Sequence, residues 1–166
     1  MKNNFNRSMI SCLIMVLLLG GGRAHGQPET DVYLSGLYVE NGETRVSAPV
    51  NISRNPGYDN QPSFTRAGDL LYARTRDGQT DIALYSPETR ETSWRTDTPG
   101  GGEYSPVEIP GKASLSAVRL DTTGLQRLYE YAGEDGAPVP LHPDLKVGYY
   151  LWLAENRIAC TVLVED

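Results

Sequence analysis

Cysteine and histidine are scarce in this chain, with two of each among 166 residues. Cys12 and His25 fall in the first 26 residues, which leaves Cys160 and His142 for the remainder. One cysteine closes no internal disulfide and builds no cysteine metal site. Cys160, in the run Ile158-Ala159-Cys160-Thr161-Val162, reads as a buried strand residue and not as a reactive thiol. His142 precedes Pro143 and reads as a turn residue. No Gly-x-Ser-x-Gly elbow accompanies it, so a serine nucleophile lacks its usual setting. Positive charge is also in deficit: 15 Lys and Arg face 21 Asp and Glu, a net charge of −6. Such a chain repels phosphate backbones and anionic lipid surfaces, which argues against a nucleic-acid partner. No window beyond the first residues carries a helical period.

The only long apolar run spans residues 9–19 and is interrupted by Ser11 alone. Lys2 and Arg7 precede it, and Gly20-Gly21-Gly22 and Ala24-His25-Gly26 follow. A run of about 11 residues is too short to cross a bilayer core of roughly 30 Å as a helix, and has the length of a secretory h-region. Residues 1–26 are therefore expected to be a signal peptide, 27–166 the mature part, and the destination the periplasm or the outside, with no stable membrane insertion after cleavage. Removing Lys2, Arg7 and Arg23 takes the net charge from −6 to −9.

Past the leader, short strand-like runs alternate with turn residues. They cover 32–39, 70–74, 82–86, 92–95, 115–120, 127–131, 149–153 and 157–164. Glu40-Asn41-Gly42, Arg76-Asp77-Gly78 and Glu134-Asp135-Gly136 supply hairpin turns. Tightly spaced hairpins leave no room for crossover helices, so the fold class is all-β and antiparallel. The runs also repeat. Asn55-Pro56-Gly57 is answered by Thr98-Pro99-Gly100, residues 63–74 by 107–119, and 81–85 by 127–131; a third copy starts near His142-Pro143. The offset of about 44 to 46 residues is the length of one four-stranded propeller blade. About three blades are encoded, preceded by one hairpin over 31–53, whereas a propeller closes with about 4 to 8. The expectation is an incomplete ring, a C-terminally truncated copy that self-associates through open blade faces.

Residues 51–65, Asn51-Ile52-Ser53-Arg54-Asn55-Pro56-Gly57-Tyr58-Asp59-Asn60-Gln61-Pro62-Ser63-Phe64-Thr65, resemble the start of a blade in the TolB-like propellers, the WD40-like (PD40) periplasmic repeats. Asp77-Gly78-Gln79-Thr80-Asp81-Ile82 is similar to that family's inter-strand turn, and Glu103-Tyr104-Ser105-Pro106 and Gly148-Tyr149-Tyr150 to the starts of the next two blades. The family's Pro-Asp-Gly turn is replaced by Arg66-Ala67-Gly68 in one copy and by Pro110-Gly111-Lys112 in the next. The resemblance implies a ring of about six blades serving as an interaction platform for envelope proteins.

No catalytic residue, cofactor site or metal site is expected, and the chain reads as a non-enzyme. Asp77 and Asp81 bracket a glycine turn and read as carboxylates bracing a hairpin, not as ligands of a hard cation. Trp94 and Trp152 read as packing anchors. The candidate partner-binding residues are Tyr58, Asp59, Asn60, Glu103, Tyr104, Tyr149 and Tyr150, on loops that lead into the innermost strands. They describe an aromatic, acidic mouth suited to a peptide or basic loop of a protein partner. Tyr58, Tyr104 and Tyr150 recur at blade spacing, and blade packing is the competing role for them; aligning Pro62 with Pro106 instead sets Asn60 opposite Tyr104. Two other functions stay open: the propeller part of a prolyl-oligopeptidase-type peptidase without its hydrolase domain, and a propeller that binds small ligands or carbohydrate.

Overall fold

The computed structural model describes residues 28–133 and 137–164. The expected signal peptide, with Cys12 and His25, and the expected turn at 134–136 lie outside the described residues. Among the described residues every regular element is a β-strand.

Four short strands come first: β1 (Tyr33–Leu34), β2 (Leu37–Glu40), β3 (Glu43–Val46) and β4 (Val50–Asn51). β2 pairs with β3 and β1 with β4, both antiparallel, so together they form one interrupted hairpin. Next come β5 (Asp59–Phe64), β6 (Leu70–Arg76), β7 (Gln79–Ser86) and β8 (Glu91–Trp94), an antiparallel meander in sequence order. β9 (Gly102–Glu108), β10 (Ser114–Leu120), β11 (Gln126–Ala132) and β12 (Val139–Pro140) form a second. A single parallel bridge, Thr80 to Gly102, ties the two meanders. β13 (Val147–Ala154) and β14 (Arg157–Val162) make a closing hairpin.

The turns follow from their residues. Asn41 and Gly42 adopt φ of 54° and 80°, and Asp77 and Gly78 adopt 49° and 80°, the left-handed pair that matches strand twist in a two-residue hairpin. Gly68 and Gly111 are also left-handed, so the turns without the expected aspartate still form. Thr65 N donates to Asp69 O and Ile109 N to Ser114 O, closing them.

Alternation along the strands sorts side chains onto two faces of each meander. Leu70, Tyr72, Ala83 and Tyr85 face the first hairpin and pack with Val32 and Ile52. Leu71 and Ile82 face the second meander, meeting Leu115, Ala117, Tyr129 and Tyr131. Val118 and Leu128 point the other way, to Val147, with Ile158 and Cys160 packed alongside. The molecule is thus a stack of four layers with three apolar seams, and the described residues close no ring. Each central strand is buried on both faces, which is why β6 and β10 read as continuous apolar or small runs.

The strands the sequence did not announce are β5, β9 and β12. β5 and β9 are polar, and each carries a proline beside a register shift, between Asn60 and Ser63 in one and opposite Ser116/Val118 in the other. A bulge leaves one residue out of the ladder, so proline's missing N–H costs nothing there.

Candidate binding groove

The two bulges repeat a backbone device. Gln61 (φ 55°) and Ser105 (φ 52°) are both left-handed, and each precedes proline. They interlock across the two layers: Ser105 N donates to Gln61 Oε1 at 2.9 Å, and Ser63 Oγ donates to Pro106 O at 2.5 Å. This join brings Tyr58, just ahead of β5, against Tyr104 of β9, with ring centroids 6.2 Å apart and planes at 68°. Edge-to-face contact of this kind is favourable for aromatic quadrupoles. Tyr149 of β13 completes the set, and burial together with the Tyr104 and Tyr149 hydroxyls raises the Tyr58 phenol above its ordinary value. The three rings line a groove of about 430 Å³ whose other lining includes Gln61, Ser105 and Gln126, with apolar side chains from Val118, Leu120 and Leu163. Gln126 is pinned by donating to Val147 O at 3.0 Å. Among the described residues no charged side chain lines this groove. A Cβ on Gly102 would stand 2.6 Å from Tyr104 Oη, so glycine at that position makes room for the ring.

The acids expected at the mouth turn inward. Asp59 and Glu103 are each 1% exposed. Strand register explains it: Asp59 lies opposite Arg74, and Glu103 opposite Arg119, one residue out of phase with the face that opens to the groove. The same register makes Asn60 the counterpart of Tyr104, so Tyr58 and Tyr104 are not repeat equivalents; they meet because β5 and β9 are neighbours. Asn60 is half-buried, and its Oδ1 accepts from Gln61 N at 2.7 Å, bracing the bulge. Tyr150 faces the second meander, with its hydroxyl 2.7 Å from Ser116 O and 2.9 Å from Ser105 O. Burial pushes that phenol well up, and Tyr150 is a packing residue. Of the seven expected residues, Tyr58, Tyr104 and Tyr149 line the groove, Asn60 supports it, and Asp59, Glu103 and Tyr150 are internal.

Trp94 packs against the first seam and stacks under Arg76, whose guanidinium carbon is 4.1 Å from the ring centroid. Trp152 donates from Nε1 to Ser116 Oγ at 2.9 Å. Asp77 sits in its turn, but Asp81 is buried in β7 and accepts from Thr98 N at 3.0 Å. Among the described residues no three His, Cys, Asp or Glu cluster as a metal site. Cys160 is half-buried against the third seam, and His142 is exposed.

Gln61, Ser105, Gln126 and Leu163 were not singled out by sequence. The legible trace was the repeated Gln61-Pro62 and Ser105-Pro106, a left-handed residue before proline at the same position of each meander. No protein-family model and no curated protein matches this sequence.

Proposed function

We propose that this chain is an exported, non-catalytic binding module built from propeller-type blades, and that the tyrosine groove holds an extended segment of a protein partner in the cell envelope. Two features support the blade reading: each meander has four antiparallel strands, and the starts of Leu70–Arg76 and Ser114–Leu120 lie 44 residues apart. That agrees with the resemblance to TolB-like repeats. The observation that carries the function is the meeting of Tyr58, Tyr104 and Tyr149, from three successive modules, around one groove that no described charged side chain lines.

Tyrosines offer wide, stiff contact area at small entropic cost, and the amides and Ser105 offer hydrogen bonds to a partner's backbone. With Asp59 and Glu103 buried, recognition is by shape, ring contact and hydrogen bonding and not by attraction of a basic loop. Selection of displayed peptides on wild-type chain, with counter-selection on a Tyr58→Ala/Tyr104→Ala variant, tests the reading. Enriched peptides should lose about tenfold or more in affinity on Tyr104→Ala. Failure to enrich, or binding indifferent to these tyrosines, would overturn it. The uncharged lining also favours a second reading, a glycan site; sugar binding that disappears on Tyr104→Ala, without any selected peptide, would install it.

A further inference from the structure

We propose a second, independent site: the groove between the first hairpin and the first meander binds an anion that carries an apolar body. This groove has a volume of about 570 Å³. Its lining takes apolar side chains from Leu34, Val50 and Ile52 of the hairpin and Tyr85 of β7, and includes Arg54 and Arg90. In a chain of net charge −6, no carboxylate among the described residues lines it.

Both arginines keep terminal guanidinium nitrogens that no described residue accepts from. Among the described residues neither is in an ion pair. Among the described residues Arg54 uses Nε alone, donating to Asn51 O at 3.3 Å, which leaves its two terminal nitrogens for a ligand. The nearest acid in sequence to the hairpin wall, Asp31, is occupied with Asn51 Nδ2 at 2.8 Å and Ser53 Oγ at 3.0 Å. Glu88, in the turn of Arg90, and Glu91, the first residue of β8, do not line the groove.

The backbone supplies a separate argument. Six described residues other than glycine have positive φ: Asn41, Arg54, Gln61, Asp77, Arg90 and Ser105. Asn41 and Asp77 belong to a residue class that tolerates this region and sit in hairpin turns. The other four divide between two places: Gln61 and Ser105 line the tyrosine groove, and Arg54 (φ 44°) and Arg90 (φ 61°) line this one. Glycine would fill these turns without strain. Backbone strain held by a bulky side chain at a cleft is what a functional position looks like. Guanidinium forks engage carboxylate and phosphate with paired hydrogen bonds, and the apolar walls require a hydrocarbon or aromatic body behind that head.

Titration calorimetry on the full chain tests this with octanoate and octyl phosphate as probes. Binding of at least one is expected, weaker at high salt, and reduced about tenfold or more in Arg54→Gly and in Arg90→Gly. Both variants should keep or raise the thermal midpoint, because glycine accepts the local φ. That combination separates loss of a ligand contact from loss of fold. Preference for octyl phosphate would assign phosphate-headed amphiphiles, and preference for octanoate fatty carboxylates. Three results overturn the proposal: neither probe binds, the arginine variants bind unchanged, or octyl glucoside binds wild type and variants as well as the anions do. Inorganic phosphate binding as tightly as octyl phosphate would overturn the apolar half.

Discussion

Glu103 illustrates how a single side chain joins two layers of the stack. It enters from β9, accepts a hydrogen bond from the Thr96 hydroxyl, and lies against the Tyr131 hydroxyl and near Asp81 of the other meander. Thr96 Oγ1 in turn accepts from Ile82 N at 2.8 Å. Arg119, opposite Glu103 in register, donates to Gly100 O and lies over the Tyr129 ring, so it does not neutralise the carboxyl directly. Burial dominates and raises the carboxyl above its ordinary range; Asp59 and Asp81 are raised for the same reason. The sign follows from linkage. With the folded value above the unfolded one, the stabilisation is complete below the unfolded pKa, about 4.3 for Glu, and is lost as pH rises through the folded pKa. Glu108, Asp121 and Glu130 are lowered and work the other way, so a difference measurement is needed. Urea unfolding of wild type and Glu103→Gln from about pH 4 to about pH 8 should show the variant gaining on wild type as pH rises. A constant difference would mean that Glu103 titrates as an ordinary carboxyl. From sequence alone Asp59 and Glu103 were visible as acids beside tyrosines, but their direction was not. In a strand one residue of register decides which face a side chain takes, and bulges at Pro62 and Pro106 hid that register.

At the scale of elements, what was legible depended on how each strand is buried. β6, β7, β10 and β11 carry apolar alternation on two buried faces, and their runs stand out. Asn41-Gly42 and Asp77-Gly78 announced their hairpins because φ at those positions demands such residues. β5 and β9 did not stand out, since they are the polar, proline-bearing strands that form the groove. The shape of the groove rests on small residues too. Gly102 opens β9 where a Cβ would come within 2.6 Å of Tyr104 Oη and 2.9 Å of its Cε2. The atom met is the far end of a side chain, so Gly102→Ala should displace the ring and not unfold the strand. Near-ultraviolet circular dichroism should then lose the signal of the Tyr58–Tyr104 edge contact, with a thermal midpoint close to wild type. An unchanged spectrum would show that the ring is not held by this approach.

For the whole molecule, the layered arrangement has a consequence at its outer faces. Each internal seam is formed when one apolar face meets the next, and among the described residues β13–β14 uses one of its two faces, through Val147, Ile158 and Cys160. On the other face, Tyr149, Leu151 and Leu153 alternate along β13 at 68%, 61% and 62% exposure. The first hairpin is similarly open, with Leu37 and Val39 more than 70% exposed. Contiguous apolar strand faces of this kind, with unpaired edges beside them, drive association in water. The chain of these residues should therefore self-associate, its mass by light scattering rising with concentration. Leu151→Lys/Leu153→Lys removes apolar area from one face and adds like charge that two copies would have to bring together. Leu37→Lys/Val39→Lys does the same at the other end of the stack. If the β13–β14 face meets its own copy, the first pair alone abolishes association; if it meets the first hairpin of another copy, either pair does, and mixing the two variants does not restore a closed dimer. A wild-type chain that stays monomeric across the concentration range would show that these faces are tolerated in water, and would remove the physical ground for assembly through them.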